Sequence, residues 1–321
     1  LIKIRYKVFH RIIYSMSFKG LDRLWVSELV SQGFLAFYAV ERVLASAFTD
    51  YQEVLIAETV PFGRCLIIDG KVQSSLFDEY IYHETLVHPA LVTADRPVRV
   101  LIIGGAEGAT AREVLKWKTV EHVMMAELDP KVVELCRKNL PEMSMGAFDD
   151  RRLRLVITEG RRFLESLEDG SLDLIVVDVT DPTEDSPSLK LYSQEFYRLA
   201  YRKLGDSGVL VTQATSIVHT PYAFRSILET LKTVFPYVTP LAAYIPSFSS
   251  LWGFVMGSKA MSCRSLKAEQ VNSILLRQIS GRLRFYSGET HGALVDLAER
   301  YLELSGEKHK IISDEDLITI P

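Results

Sequence analysis

The stretch VLIIGGAEGATAREVL, residues 100–115, commits this chain to a narrow set of folds. An apolar run ends in clustered glycines and continues into helix-forming residues, so a buried strand turns tightly and enters a helix, as nucleotide-binding sheets begin. One residue breaks that pattern. Glu107 puts a carboxylate inside the turn, where it would repel a phosphate in a partly desolvated site. A pyrophosphate cofactor fits badly there, and a cationic ligand fits well.

The remainder of the chain supplies the sheet. Short runs rich in Val, Ile and Leu predict strands at 98–103, 122–127, 153–157, 172–177, 208–213, 237–244 and 254–257. Helical segments alternate with them, which predicts an α/β fold: a mostly parallel sheet with helices on both faces. Asp129 before Pro130 reads as a helix cap, and Pro141 as that helix's end. Upstream, YQEVLIAETVPFGRCLIIDGKVQSS predicts a short β meander with strands at 54–58 and 64–68 and a tight turn at Asp69 and Gly70. DEYIYHETLVHPAL then reads as a helix leading into the next unit.

This divides the chain into a basic extension over 1–24, a small N-terminal β-rich domain over 25–90 and an α/β catalytic domain over 91–321. The extension carries Lys3, Arg5, Lys7, Arg11, Lys19 and Arg23 against Asp22. It reads either as an arm touching membrane or RNA, or, preferably, as a segment ahead of a working chain that begins near Met16. With 321 residues and a net charge of −4, the chain lacks the basic excess of a general nucleic-acid binder. No apolar run approaches the roughly 20 residues that span a bilayer. The expected setting is cytoplasmic, without nucleic-acid or membrane partners. Cys65, Cys136 and Cys263 lack metal-ligand spacing and read as packing residues of a reducing compartment.

Ligands of open α/β sheets bind beyond the strands' carboxyl ends, and those ends are acidic here. After Gly104 and Gly105 comes Glu107; the second strand ends at Glu127, the third leads to Glu159 and Gly160, and the fourth reaches Asp178 with Asp181 beyond it. Glu127 follows the turn by about 20 residues, the spacing of a ribose contact. A nucleoside would lie over Glu127 and Glu159, its cationic tail toward Glu107, with a second cation near Asp178 and Asp181.

With these residues assembled, the chain resembles the polyamine aminopropyltransferases, that is, spermidine synthases and their thermospermine-forming relatives. Their GGGDG or GGGEG turn stands here as GGAEG, followed by REVL at 112–115, FDD at 148–150 and DVTDP at 178–182. DYQEVLI, FGRCLIIDGKVQS, DEYIYHE and RFYSGETH also match, so the likeness runs over residues 25–302. It implies a Rossmann-like, methyltransferase-type sheet. It also implies polyamine biosynthesis by transfer of the aminopropyl group of decarboxylated S-adenosylmethionine, the co-substrate, to putrescine, agmatine or spermidine, releasing methylthioadenosine without a metal or other cofactor.

By position, Gln52, Glu127, Glu159 and Gly160 would hold the nucleoside, with Pro187 over it. His83, Glu107, Asp181 and Gln213 would bind amines, Asp178 would accept the proton, and Tyr82 would be its hydrogen-bonding partner. A homodimer or homotetramer joined through the N-terminal β region is implied too. The chemistry agrees: an alkylammonium, with a pKa of about 10, must lose a proton before its nitrogen can attack a sulfonium-activated carbon.

Three positions depart from the family pattern: Ala106 for glycine, Glu159 for aspartate and Phe248 for tyrosine. Phe248 and the longer loop at 183–190 resemble the thermospermine and agmatine-using branch, and leave the acceptor open. A methyltransferase would need room for a substrate carboxylate where Glu107 lies. A non-catalytic ligand-binding member of the fold would not need every acidic position filled.

Overall fold

A computed structural model describes residues 4–5, 13–18, 21–94, 96–184, 186–306 and 308–320, with side chains from residue 24 onward. Among the described residues there are two seven-stranded sheets. The first is an antiparallel meander in chain order: β1 (Ile4–Arg5), β2 (Ile13–Phe18), β3 (Leu21–Ser31), β4 (Phe34–Phe48), β5 (Glu53–Thr59), β6 (Gly63–Ile68) and β7 (Lys71–Ser75). Asp69 and Gly70 turn between β6 and β7 with φ of 49° and 80°, as their identities require.

This sheet is larger than the sequence suggests. Half of the expected extension over 1–24 lies outside the described residues, and what is described of it is strand, continuous with the sheet through β2 and β3. The β-rich region therefore does not begin at Trp25. Strands β3 and β4 escaped notice because Leu29, Leu35, Phe37 and Phe48 are exposed, so the chain shows neither clean alternation nor a buried apolar run.

Helix α1 (Glu79–Thr93) joins the two sheets. A boundary at residue 90 would cut it, since it runs unbroken past Pro89 and is buried along nearly its whole length. The second sheet contains β8 (Arg99–Gly104), β9 (His122–Glu127), β10 (Leu153–Ile157), β11 (Leu172–Asp178), β12 (Leu204–Ser216), β13 (Tyr237–Ile245) and β14 (Ser250–Ser258). Its order is β10-β9-β8-β11-β12-β14-β13, with only β14 antiparallel to its neighbours. The connecting helices are α2 (Ala109–Leu115), α3 (Pro130–Asn139), α4 (Pro141–Ser144), α5 (Gly160–Ser166), α6 (Gln194–Lys203), α7 (Pro221–Lys232), α8 (Ala268–Gln278) and α9 (Gly288–Leu304). Pro141 thus opens a further short helix after α3 has ended.

Alternate residues of each central strand feed opposite cores, as a period of two demands. Val100, Ile102, Leu174 and Val176 pack with Leu86 and Ala90 of α1 and Leu294 of α9, while Leu101, Ile103, Ile175 and Val177 pack with Phe196 of α6 and Phe224 of α7. The three cysteines are buried and unbridged. Strand order reverses between β8 and β11, which opens the crevice beyond their carboxyl ends where a ligand of this fold binds.

Candidate active site

Register alone brings the first two site elements together. Gly104 pairs with Asp178 across β8 and β11, and the Gly105 N–H donates to the Asp178 carbonyl at 2.9 Å. A Cβ on Gly104 would lie 2.1 Å from that carbonyl oxygen, and one on Gly108 would lie 2.6 Å from the ring of Phe148. These glycines, both at positive φ, let neighbouring chain approach the turn.

Asp178 stands at the floor of the crevice between two donors: Tyr82 Oη donates to its Oδ1 at 2.8 Å and Thr110 Oγ1 to its Oδ2 at 2.5 Å. Burial and then the Glu107 carboxylate push its pKa up from the usual aspartate value, opposed by His83, Thr110 and Tyr82. A carboxylate so shifted is better matched to accepting a proton near neutrality. Tyr82 is itself locked by edge contacts with Phe248 and Phe254 at 5.8 and 5.1 Å.

On one side of Tyr82 and Asp178 lies a cavity lined by Gln52, Ala106, Glu107, Glu127, Glu159, Gly160 and Pro187. Glu127 accepts from the Asp129 N–H at 2.9 Å, and burial raises its pKa to about 7. Asp129 caps α3 through the Lys131 N–H and takes the Gln52 amide at 3.1 Å, which ties the first sheet to the second. Both Glu159 oxygens accept backbone N–H groups, Oε1 from Arg161 at 2.8 Å and Oε2 from Arg162 at 2.7 Å. Its extra methylene is therefore spent on capping α5.

On the other side, a second cavity is lined by Glu28, Lys71, Gln73, Asp181, Gln213, His219, Phe248, Trp252 and Ile320, and it shares Tyr82 with the first. The Thr215 N–H donates to Gln213 Oε1 at 2.9 Å, and Thr215 takes the unusual φ of 67° to do so. The Gln213 amide must then donate elsewhere, to Tyr192 Oη at 2.6 Å and to the Val179 carbonyl at 3.0 Å. Burial raises Asp181 from its ordinary value, with Lys71 and Gln213 opposing.

Glu28 was missed in the sequence. It is buried, hydrogen-bonded by Tyr38 Oη at 3.1 Å, and raised to about 7 by burial. Its one signal was an acidic residue in an otherwise apolar stretch, LWVSELV. Thr110 was missed as well, because a threonine in a helix's first turn is unremarked by any spacing rule.

His83 needs correction. Its Nδ1 meets the Glu79 carbonyl at 2.7 Å and Glu79 Oε2 at 3.0 Å, its Nε2 meets Glu107 Oε1 at 2.9 Å, and it lines neither cavity. With both nitrogens committed, it stands behind Glu107 and offers nothing directly to an amine. His83, Glu107 and Asp178 each offer an atom within 4.8 Å of the others, but only the two carboxylates face the cavity, where they suit an ammonium.

A half-buried carboxylate held by a tyrosine that lines two adjoining cavities, one edged by Glu107, Glu127 and Glu159 and the other by Glu28 and Asp181, suits an enzyme acting on cationic ligands. Comparison with known proteins agrees. The family model for the spermine/spermidine synthase domain matches residues 79–267, and that for the spermidine synthase tetramerisation domain matches residues 24–75. A polyamine aminopropyltransferase 2 of Hyperthermus butylicus is 42% identical, covering 92% of this chain and 97% of its own length. One of Sulfolobus acidocaldarius is also 42% identical, over 88% and 94%. The crystal structure of a spermidine synthase in complex with the transition-state analogue AdoDATO superposes with a TM-score of 0.80 at 29% identity, covering 87% of this chain and 95% of that one.

The chain belongs to the spermine/spermidine synthase family. It is an aminopropyltransferase of polyamine biosynthesis, with decarboxylated S-adenosylmethionine as co-substrate. Among the described residues, no helix is long and apolar enough to cross a membrane.

Proposed function

We propose that the larger cavity holds the nucleoside of decarboxylated S-adenosylmethionine and the smaller one the acceptor, with transfer beside Tyr82, which lines both and is hydrogen-bonded to Asp178. That shared wall is the observation carrying the assignment. Glu127 accepts the ribose hydroxyls, Gln52 holds Asp129 beneath them, and Gly160 and Pro187 bound the base. The donor's ammonium turns to Glu107. The acceptor lies along Phe248 and Trp252, with Asp181 and Gln213 near its reacting end and its far cation at Glu28.

The acceptor ammonium gives its proton to Asp178, and the freed nitrogen pair attacks the carbon next to the sulfonium. A carbon–nitrogen bond forms as the carbon–sulfur bond breaks, and the pair leaving with sulfur yields neutral methylthioadenosine. The leaving group needs no further activation, so alignment of nitrogen, carbon and sulfur is the protein's main contribution. Tyr82 and Thr110 hold the Asp178 carboxylate in place for it.

The acceptor is a primary amine with a second cationic group: putrescine, agmatine or spermidine. Residues 24–75, which match a tetramerisation domain, support a homotetramer; the net charge of −4 argues against nucleic-acid partners, and the three unbridged cysteines fit a cytoplasmic enzyme. The test is methylthioadenosine release from decarboxylated S-adenosylmethionine with each acceptor in turn. Release that depends on a diamine is expected; release indifferent to any acceptor overturns the assignment.

A further inference from the structure

Glu107 and Asp178 present a problem that their roles make acute. Their carboxylates come within 4.8 Å of each other inside a largely buried site, and Glu127 adds further negative charge. Carboxylates placed so closely ordinarily share one proton. A site in that state could take an ammonium on Glu107 or a proton on Asp178, but would serve poorly for both.

His83 lies where this can be resolved. One ring nitrogen faces Glu107 at 2.9 Å, the other faces Glu79 at 3.0 Å, and an ionised carboxylate on each side calls for an N–H on each nitrogen. Arg112 backs Glu79 at 2.7 Å and is fixed in turn by Glu113 at 2.8 Å and the Met143 carbonyl at 2.6 Å. Glu79, His83, Glu107 and Arg112 are all buried, so the ion pairs among them are little screened by solvent.

We infer that His83 is a standing imidazolium, the internal counter-ion that lets Glu107 and Asp178 be ionised together, with Glu79 and Arg112 as its support. It is a positioning residue that does not meet substrate. Burial works against its charge, but Glu107 and Glu79 outweigh burial and hold it at about 10. The same charge opposes the rise of Asp178 that burial and Glu107 produce. The other titratable groups facing this cluster are Tyr82 and Glu79 on α1, Arg112 on α2, Glu127 on β9, Cys136 on α3 and Tyr192. The inference deepens the proposed function, since it rests on Glu107 meeting an ammonium and Asp178 acting as base.

Two measurements test it. In the unmodified enzyme labelled with 15N-histidine, the His83 signal, identified by its contact with the Tyr82 ring at 5.0 Å, is expected to show imidazolium at both nitrogens from pH 6 to pH 9. A neutral tautomer, or a titration inside that range, overturns the inference. In His83→Gln an uncharged amide still reaches Glu107, so kcat/KM is expected to fall about 100-fold at pH 6, where the carboxylates then share a proton, and to recover to within about threefold by pH 9, where they have lost it. An equal loss at every pH marks a merely structural role, and an unchanged profile removes any role; either outcome overturns the inference. Should Asp178→Asn keep its turnover, the base assignment fails alone, because the histidine spectrum is read without catalysis.

Discussion

The two halves of the crevice are built by different means. The nucleoside half stands mainly on the carboxyl edge of one sheet, where β8, β9 and β11 deliver Glu107, Glu127 and Asp178 at positions set by strand register. The amine half is assembled from distant pieces: Glu28 of β3, Lys71 and Gln73 of β7, Gln213 of β12, Phe248, and Ile320 near the end of the described chain. A site on one sheet edge inherits its geometry from a ladder of hydrogen bonds. A site gathered from two sheets depends on how they pack, and so can change its acceptor without disturbing the donor.

The wall between the halves should matter most. Asp178→Asn is expected to lower kcat by about 10² to 10⁴, the range for loss of a general base, with little change in methylthioadenosine binding. The amide also cannot accept from Tyr82 and Thr110 through both terminal atoms, so one donor loses its partner. Near-normal kcat would show that the halves do not meet at Asp178.

Next comes a loss confined to the nucleoside half. Glu127→Gln is expected to raise the donor KM about 30-fold, as one charged hydrogen-bonding group contributes about 2 kcal/mol, while leaving the acceptor KM within twofold. Its pH behaviour sharpens the point. Because Glu127 stands raised to about 7 in the fold against 4.5 as its ordinary value, its contribution to stability is fully present below 4.5 and lost as pH rises through 7. The ribose hydroxyls need the ionised form, so methylthioadenosine should bind more tightly as pH rises from 5.5 to 8 and should release a proton near pH 6. Calorimetry in buffers of differing ionisation heat reads that proton directly, and Glu127→Gln should abolish it.

A smaller, mirror-image effect is expected from Glu28→Gln. The amide keeps the bond to Tyr38 but not the charge, so the acceptor KM should rise about tenfold with the donor KM unmoved, the scale of one partly desolvated ion pair. Equal changes in both constants would mean that Glu28 holds the two sheets together and does not read the acceptor.

What the sequence disclosed follows the same division. Glu107, Glu127 and Asp178 were legible because strand ends can be counted from apolar runs, and the fold fixes what lies beyond a strand end. Glu28 was not, since β3 shows no clean period and its carboxylate is recognisable only once it lines a cavity with Gln213 of β12. His83 was legible as important but not in its role: no spacing rule says that Glu79, one turn earlier on α1, takes its other nitrogen. Similarly, RFYSGETH near the chain's end has a structural meaning that spacing hides. Glu84 accepts the N–H groups of Arg284, Phe285 and Tyr286 at 2.8 Å, and Tyr286 Oη meets His291 at 2.6 Å. The neighbour of a site histidine thereby pins a segment about two hundred residues away.

The smallest effect tests how finely the nucleoside half is fitted. Ala106 is not among the residues at positive φ, so alanine is unstrained there, and its methyl is buried with Ala109 and Val132 at the edge of the cavity. Ala106→Gly would remove one buried methyl, about 0.8 kcal/mol of burial, and would loosen the turn that carries Glu107. The donor KM is expected to rise by no more than about threefold, with kcat and the acceptor KM unchanged. A large gain in donor affinity would instead mean that the methyl crowds the nucleoside. A shift in acceptor KM would mean that the two halves are coupled through the glycine turn, where their geometry says they are separate.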